Sequence, residues 1–241
     1  ISDPIESLDI TAKAYSIYDV HEGVFLVEKN SDEIRPIASI TKIMTAIVVA
    51  ENLEPSAVVK ITNEDVSAEG NSHVKAGVSL TVRDLINHAL IASSNDSVAA
   101  ISNYFESVTQ RSIVEVMNIK AQSLDLKSTY FYNPSGLDTG AYTAGAYSTA
   151  EEVSLLNAYF YSHFPEYAGI SRVLETSITT KDGGVIQSIN TNSHVQDTPG
   201  LVQSKTGYTD LAGGNLTVVI DKGIGHPIVI TVLDSTYEKR Y

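Results

Sequence analysis

Apolar residues in this chain follow two different periods, and the order in which the periods occur limits the fold more than any other feature. Near the start, AKAYSIYDV and VFLVEKN alternate aromatic and β-branched residues around the turn HEG, the pattern of a two-stranded hairpin. Helical spacing then takes over. SITKIMTAIVVAENLEP places Ile43, Met44, Ile47 and Val48 on one face, with Pro55 as its stop. LTVRDLINHALIA opens on Thr81 with Asp84 three residues later, a capping box in which Asp replaces Glu. Residues 97–105 and 109–123 read as helices, NPSGLDTGAYTAGAYS as a glycine-rich loop, and TAEEVSLLNAYFYSHF as a helix closed by Pro165. VVKIT is a short strand candidate. Beyond about Val185 the period returns to two in VIQSIN, LVQSKTGYT, NLTVVID and IVITVLD.

Strands, then helices, then strands, with no linker between them, predict an α/β (α+β) architecture. The two ends share one antiparallel sheet flanked by helices, and the middle forms a helical subdomain. The expected organisation is one catalytic-size domain over residues 1–241. Its α/β part covers about 1–55 and 145–241, with a mainly helical insertion at about 56–144. At 43% hydrophobic residues and 19% charged, the chain has ample material for a core.

Composition also removes several classes of function. A net charge of −13 opposes binding to nucleic acid or anionic membrane, which carry the same sign. With no cysteine there is no disulfide, thiolate catalysis or zinc–thiolate site. The longest uncharged apolar run, Ile43–Ala50, is far short of the ~20 residues of a membrane span. Ile1 is followed at once by acidic and polar residues, so no export signal is present, and the expectation is that one has been removed.

Three short stretches can carry chemistry. In SITK, Ser39 and Lys42 share one helix face, close enough for the amine to meet the hydroxyl. A lysine depressed by burial and a nearby cation acts as a base, and a helix start offers free N–H groups to an oxyanion. Alone the pair also fits a capping serine beside a solvated lysine, and the spacing recurs at Ser72 and Lys75 in EGNSHVKAG. In IASSNDS, Ser93 and Asn95 present a hydroxyl and an amide between two helices, although serine and asparagine also cap helices. In SKTGY, Lys205 and Thr206 offer a cation and a hydroxyl to a carboxylate, while Gly207 admits a close backbone. A charged sheet edge gives the same residues.

In this order the three motifs resemble the β-lactamase and penicillin-binding protein set. ASITKIMTA, ALIASSNDSVAA, NPSGLD, YSTAEEVS and SKTGYTDLAGGNL extend the similarity over nearly the whole chain. It resembles the serine D-alanyl-D-alanine carboxypeptidases, the low-molecular-mass penicillin-binding proteins. The resemblance implies a β-lactamase/transpeptidase-like fold and an acyl-enzyme on Ser39 that releases the terminal D-alanine of a peptidoglycan stem peptide. It implies Lys42 as base, Ser93 as proton carrier to the leaving group, and Asn95 orienting Lys42 and the substrate amide. It further implies positive potential from Lys205, carboxylate binding by Thr206, Gly207 letting the peptide lie along the strand, and an oxyanion hole of the Ser39 and Tyr208 N–H groups. No metal or cofactor is implied. β-Lactams are the implied covalent inhibitors, the implied location is extracytoplasmic, and membrane association would come only through segments absent from this chain. Two departures stand out: Ser94 where a small residue such as glycine is common, and Ser135 where many relatives carry histidine.

The rival readings are a DD-endopeptidase on the same residues, a class A-like β-lactamase, a non-catalytic penicillin sensor and a zinc peptidase. The β-lactamase needs Glu-x-x-Leu-Asn, and the nearest match, Glu152 and Asn157, is one residue too long. The zinc peptidase needs clustered ligands, and the six histidines show no paired spacing.

Overall fold

The computed structural model describes residues 10–67, 74–221, 223 and 225–241. Its central sheet is built from both ends of the chain, as the alternating segments predict. The sheet contains β1 (Ala14–Asp19) and β2 (Val24–Lys29) from the start, and β10 (Leu201–Thr209), β11 (Gly213–Ile220) and β12 (Ile228–Ser235) from the end. The order is β10-β11-β12-β1-β2, antiparallel throughout, so β10 is an edge strand. Along β12 burial alternates strictly, with Val229, Thr231, Leu233 and Ser235 on the covered face.

Helix α5 (Ala150–His163) covers that face. Its contact carries a chain of buried hydroxyls. Ser16 Oγ meets Ser154 Oγ at 2.8 Å, Ser154 Oγ donates to Thr231 Oγ1 at 2.8 Å, and Thr231 meets Thr217 at 2.9 Å. Each buried oxygen thereby has a partner, without which it would cost about 1–3 kcal/mol.

The sheet's other neighbours are short. β3 (Arg35–Pro36), β6 (Tyr130–Phe131) and β7 (Ala146–Ser148) form a three-stranded ribbon; β4 (Val58–Lys60) pairs with β5 (Ser79–Thr81), and β8 (Glu175–Thr179) with β9 (Val185–Ile189). Thus VIQSIN leaves the main sheet for a hairpin of its own, and its partner β8 lies ahead of the point where strand periodicity becomes legible.

The helical middle contains α1 (Lys42–Asn52), α2 (Val82–Ile91), α3 (Asn95–Thr109) and α4 (Ile113–Ser123), with the single turn α6 (Pro165–Ala168) after α5. In α1 the expected face Ile43, Met44, Ile47 and Val48 is buried, but so is every residue from Lys42 to Val49. The helix is surrounded by α2, α3, α4 and α5, so this stretch has no solvent side, and only the last turn, at Glu51 and Asn52, is exposed. The capping box of α2 forms as read: Thr81 Oγ1 accepts from Asp84 N–H at 3.1 Å, and Asp84 Oδ2 accepts from Thr81 N–H at 3.2 Å. The helix expected from residue 109 begins instead at Ile113. Gln110 takes a left-handed φ of 57° that ends α3, and Glu106 Oε1 accepts from Ile113 N–H at 3.0 Å. Among the described residues no helix is long and apolar enough to cross a membrane.

Candidate active site

Ser39 lies in a 3₁₀ turn, Ala38–Thr41, that runs directly into α1 at Lys42. The tight turn brings the two side chains together: Lys42 Nζ donates to Ser39 Oγ at 2.7 Å. A second bond runs from Lys42 Nζ to Ser135 O at 2.8 Å. Lys42 is 1% exposed, and burial followed by the charge on Lys205 holds its amine well below the usual lysine range. An amine depressed in this way gives up its proton more readily than an exposed lysine, and its lone pair then has the Ser39 hydroxyl within reach. The second Ser-x-x-Lys spacing has no such setting to compare, because Ser72 lies outside the described residues.

The NPSGL stretch supplies the carbonyl that steers Lys42. Asn133 Oδ1 accepts from Ser135 N–H at 3.1 Å and Gly136 N–H at 2.7 Å, and Asn133 Nδ2 donates to Leu137 O at 2.7 Å. The loop so held offers Pro134 O to Thr45 Oγ1 at 2.6 Å and Ser135 O to Lys42. Gly136 has φ +81°, and a Cβ there would lie 1.9 Å from Ala38 O, so the loop packs backbone to backbone on the turn that carries Ser39.

Ser93 and Lys205 form a second hydroxyl–amine pair. Lys205 Nζ donates to Ser93 Oγ and to Thr206 O, each at 2.9 Å. Burial, then the Arg240 guanidinium, pushes Lys205 down to about 7. Ser93 has a left-handed φ of 55° and Ala38 one of 46°, so strained backbone stands beside both site hydroxyls. The helix cap, the rival explanation for this motif, falls on Ser94: its Oγ accepts from Ser97 N–H at 3.0 Å. A capping hydroxyl therefore accounts for the departure at Ser94 and leaves Ser93 to face Lys205. Asn95 is the first residue of α3, half-buried.

On β10, Thr206 Oγ1 meets Thr191 Oγ1 at 2.6 Å. Gly207 admits a close backbone, as the sequence suggests, and the backbone it admits belongs to the protein itself. A Cβ there would meet Ile37 O at 2.7 Å and Ser39 N at 3.3 Å, so the missing side chain lets the turn that carries Ser39 press against the strand. Tyr208 is exposed, edge-on to Tyr237 with ring centroids 5.1 Å apart. Residues that sequence reasoning missed complete the site. Arg240, buried between the rings of Tyr237 and Tyr241, donates to Gly207 O at 3.3 Å. Asn133 and the Ser135 carbonyl were missed as well; a backbone acceptor has no side-chain signature.

The residues of the β-lactamase reading are engaged elsewhere. Glu152 accepts from Ser128 N–H at 2.8 Å and binds Thr129 Oγ1, while Asn157 is bonded to Thr217 and Gln203 under the sheet.

A serine hydroxyl held by a buried amine, with a second pair formed by Ser93 between α2 and α3 and Lys205 on the edge strand, has the parts of a serine acyl-transfer centre. A sequence model described as D-alanyl-D-alanine carboxypeptidase matches residues 2–236. D-alanyl-D-alanine carboxypeptidase DacF of Bacillus subtilis is 30% identical over 235 residues, 95% of this chain and 59% of its own length. The fold is that of penicillin-binding protein D2 of Listeria monocytogenes in its ampicillin-bound form (30% identity, TM-score 0.82, covering 97% of this chain and 94% of that one). It is equally that of a point mutant of the Streptomyces K15 DD-transpeptidase (25% identity, TM-score 0.86, covering 97% and 95%). The chain belongs to the D-alanyl-D-alanine carboxypeptidase family. It spans little more than half the length of several of the curated relatives it matches.

Proposed function

We propose that this chain is a serine DD-carboxypeptidase that removes the terminal D-alanine from peptidoglycan stem peptides, acting outside the cytoplasm. The carrying observation is the buried Lys42 amine 2.7 Å from Ser39 Oγ. The chain acts as one catalytic unit, its helical insertion supplying Ser93, Asn95 and the Ser135 carbonyl, and its sheet supplying Lys205–Tyr208.

Ser39 Oγ attacks the carbonyl between the two D-alanines as its proton passes to the Lys42 lone pair. The N–H groups of Ser39 and Tyr208 hold the oxyanion. Collapse breaks the C–N bond, and the leaving amine takes a proton through Ser93, whose hydroxyl is backed by Lys205. Asn95 orients the substrate amide. Thr206 holds the terminal carboxylate, with positive potential from Arg240 and from Lys205 while it is protonated. Water then attacks the acyl carbon, returning Ser39 and releasing the shortened peptide. β-Lactams, which acylate the same serine, are the expected inhibitors.

The test is to incubate the protein with a β-lactam and map the mass adduct, with Ser39→Ala as control, then to assay D-alanine release from a pentapeptide. An adduct on Ser39 that is absent from the variant, followed by D-alanine release, supports the proposal. An adduct elsewhere refutes the assignment. An adduct on Ser39 without turnover points to a penicillin sensor, and cleavage of cross-linked peptides alone points to an endopeptidase.

A further inference from the structure

Two turns meet at the end of the central sheet remote from Ser39, and they carry a histidine pair that the proposed catalysis does not use. His21 and Glu22 lie between β1 and β2; His226 lies between β11 and β12. The imidazole rings have centroids 4.3 Å apart, and His21 Nδ1 is 2.9 Å from Glu22 Oε1. One ligand atom from each of the three residues lies within 4.8 Å of the others, open to solvent. The six histidines looked scattered because these two stand 205 positions apart in the sequence.

Hydrogen bonds hold the β1–β2 turn that carries His21 and Glu22. Asp19 Oδ1 accepts from the N–H groups of His21 and Glu22, both at 2.9 Å. Gly23 N–H donates to Asp19 O at 2.9 Å and Val20 N–H to Pro227 O at 3.0 Å, which ties one turn to the other. The ligands are thus brought together before any ion arrives, which lowers the cost of binding. Two imidazoles and one carboxylate suit zinc, nickel or copper and leave a position for water, whereas magnesium and calcium prefer all-oxygen sites. Zinc bonds of about 2.0–2.1 Å in a tetrahedron put ligand atoms about 3.4 Å apart. Binding would therefore require the three side chains to draw in from their present spread of up to 4.8 Å.

We propose that His21, Glu22 and His226 form a surface site for a divalent transition cation of the zinc class, which clamps the β1–β2 turn to the β11–β12 turn. The site is independent of the acyl-transfer centre. Gly207, against Ser39, pairs with Asn215, while β12 begins at Ile228 opposite Ile220. A rise of five positions along β11, from Asn215 to Ile220, therefore separates the two sites, about 17 Å along the strand.

The test uses tag-free, chelator-treated protein titrated with Zn²⁺ by calorimetry, with Mg²⁺ as control, and a parallel thermal-unfolding series. The expected result is saturable one-to-one Zn²⁺ binding and a rise in Tm of about 5–10 °C at one hundred times the Kd. Mg²⁺ has no effect. His21→Ala and His226→Ala each weaken binding about tenfold or more, while the rate of acylation by penicillin stays at the parent value. Circular dichroism checks that both variants fold. Absence of saturable binding overturns the proposal, as does an isotherm unchanged in the double His21→Ala/His226→Ala variant, which would move the metal to another histidine.

Discussion

Alanine at position 207 separates two uses of a glycine in an edge strand: room for a substrate, or room for the protein's own turn at Ser39. The added Cβ would stand 2.7 Å from Ile37 O, where ordinary contact begins at 3.4 Å, so the turn must retreat from β10 by about 0.7 Å. The other close atoms are Ala38 Cβ and Ser39 N, both at 3.3 Å, and none of the three is the end of a flexible side chain that can swing away. Relief therefore requires the 3₁₀ turn and the strand to part as units. The cost to stability is that of overpacking, about 1–3 kcal/mol. The cost to catalysis is larger, because the turn carries Ser39 while β10 carries Lys205, Thr206 and the Tyr208 N–H. A misplacement of about 1 Å between reacting groups costs about 100-fold. Gly207→Ala is expected to slow acylation by a fluorescent penicillin about 10–100-fold. The loss should be seen in the second-order rate constant, with a modest fall in the urea midpoint and an unchanged far-ultraviolet spectrum. A folded variant that acylates at the parent rate would refute the reasoning.

Two further predictions concern Lys42. With Lys42 as the proposed base, acylation requires the unprotonated amine, so the rate is expected to fall as pH drops through its pKa, which burial and then Lys205 depress. Lys205→Met removes a positive neighbour, Lys42 then holds its proton to higher pH, and the acid limb of the pH–rate profile moves upward; an unmoved limb, or one displaced downward, contradicts the coupling. Asn133→Ala removes the acceptor of Ser135 N–H and Gly136 N–H and the donor to Leu137 O. At about 1 kcal/mol for each bond, urea denaturation should show a loss of about 2–4 kcal/mol. Acylation should slow as the Ser135 carbonyl loses its aim, and Asn133→Asp, which keeps the acceptor, should retain more of both.

Features that close within a few residues were legible before any coordinates. The Thr81–Asp84 box, the Ser39–Lys42 contact and the alternation of β12 each depend on a local period of two or three positions. Local signals misled where two local structures compete. The stretch after Thr109 is helix-forming on both sides, yet Gln110 turns left-handed and splits it. Serine at 93 and serine at 94 are equally good caps by composition, and only the path of the chain assigns the cap to Ser94 and the contact with Lys205 to Ser93.

The sequence by itself determined the order of periodicities, hence a sheet made from both ends around a helical middle, and the motifs that place the chain in its family. Tertiary structure alone decided which groups meet. Lys205 reaches Ser93 across 112 positions and Lys42 reaches the Ser135 carbonyl across 93. Gly207 is empty because of Ile37, and His21 finds His226 only because two turns share one end of the sheet. The reason is physical: local geometry follows from backbone sterics and spacing, whereas these contacts, and the burial that depresses Lys42, exist only once the apolar faces have packed.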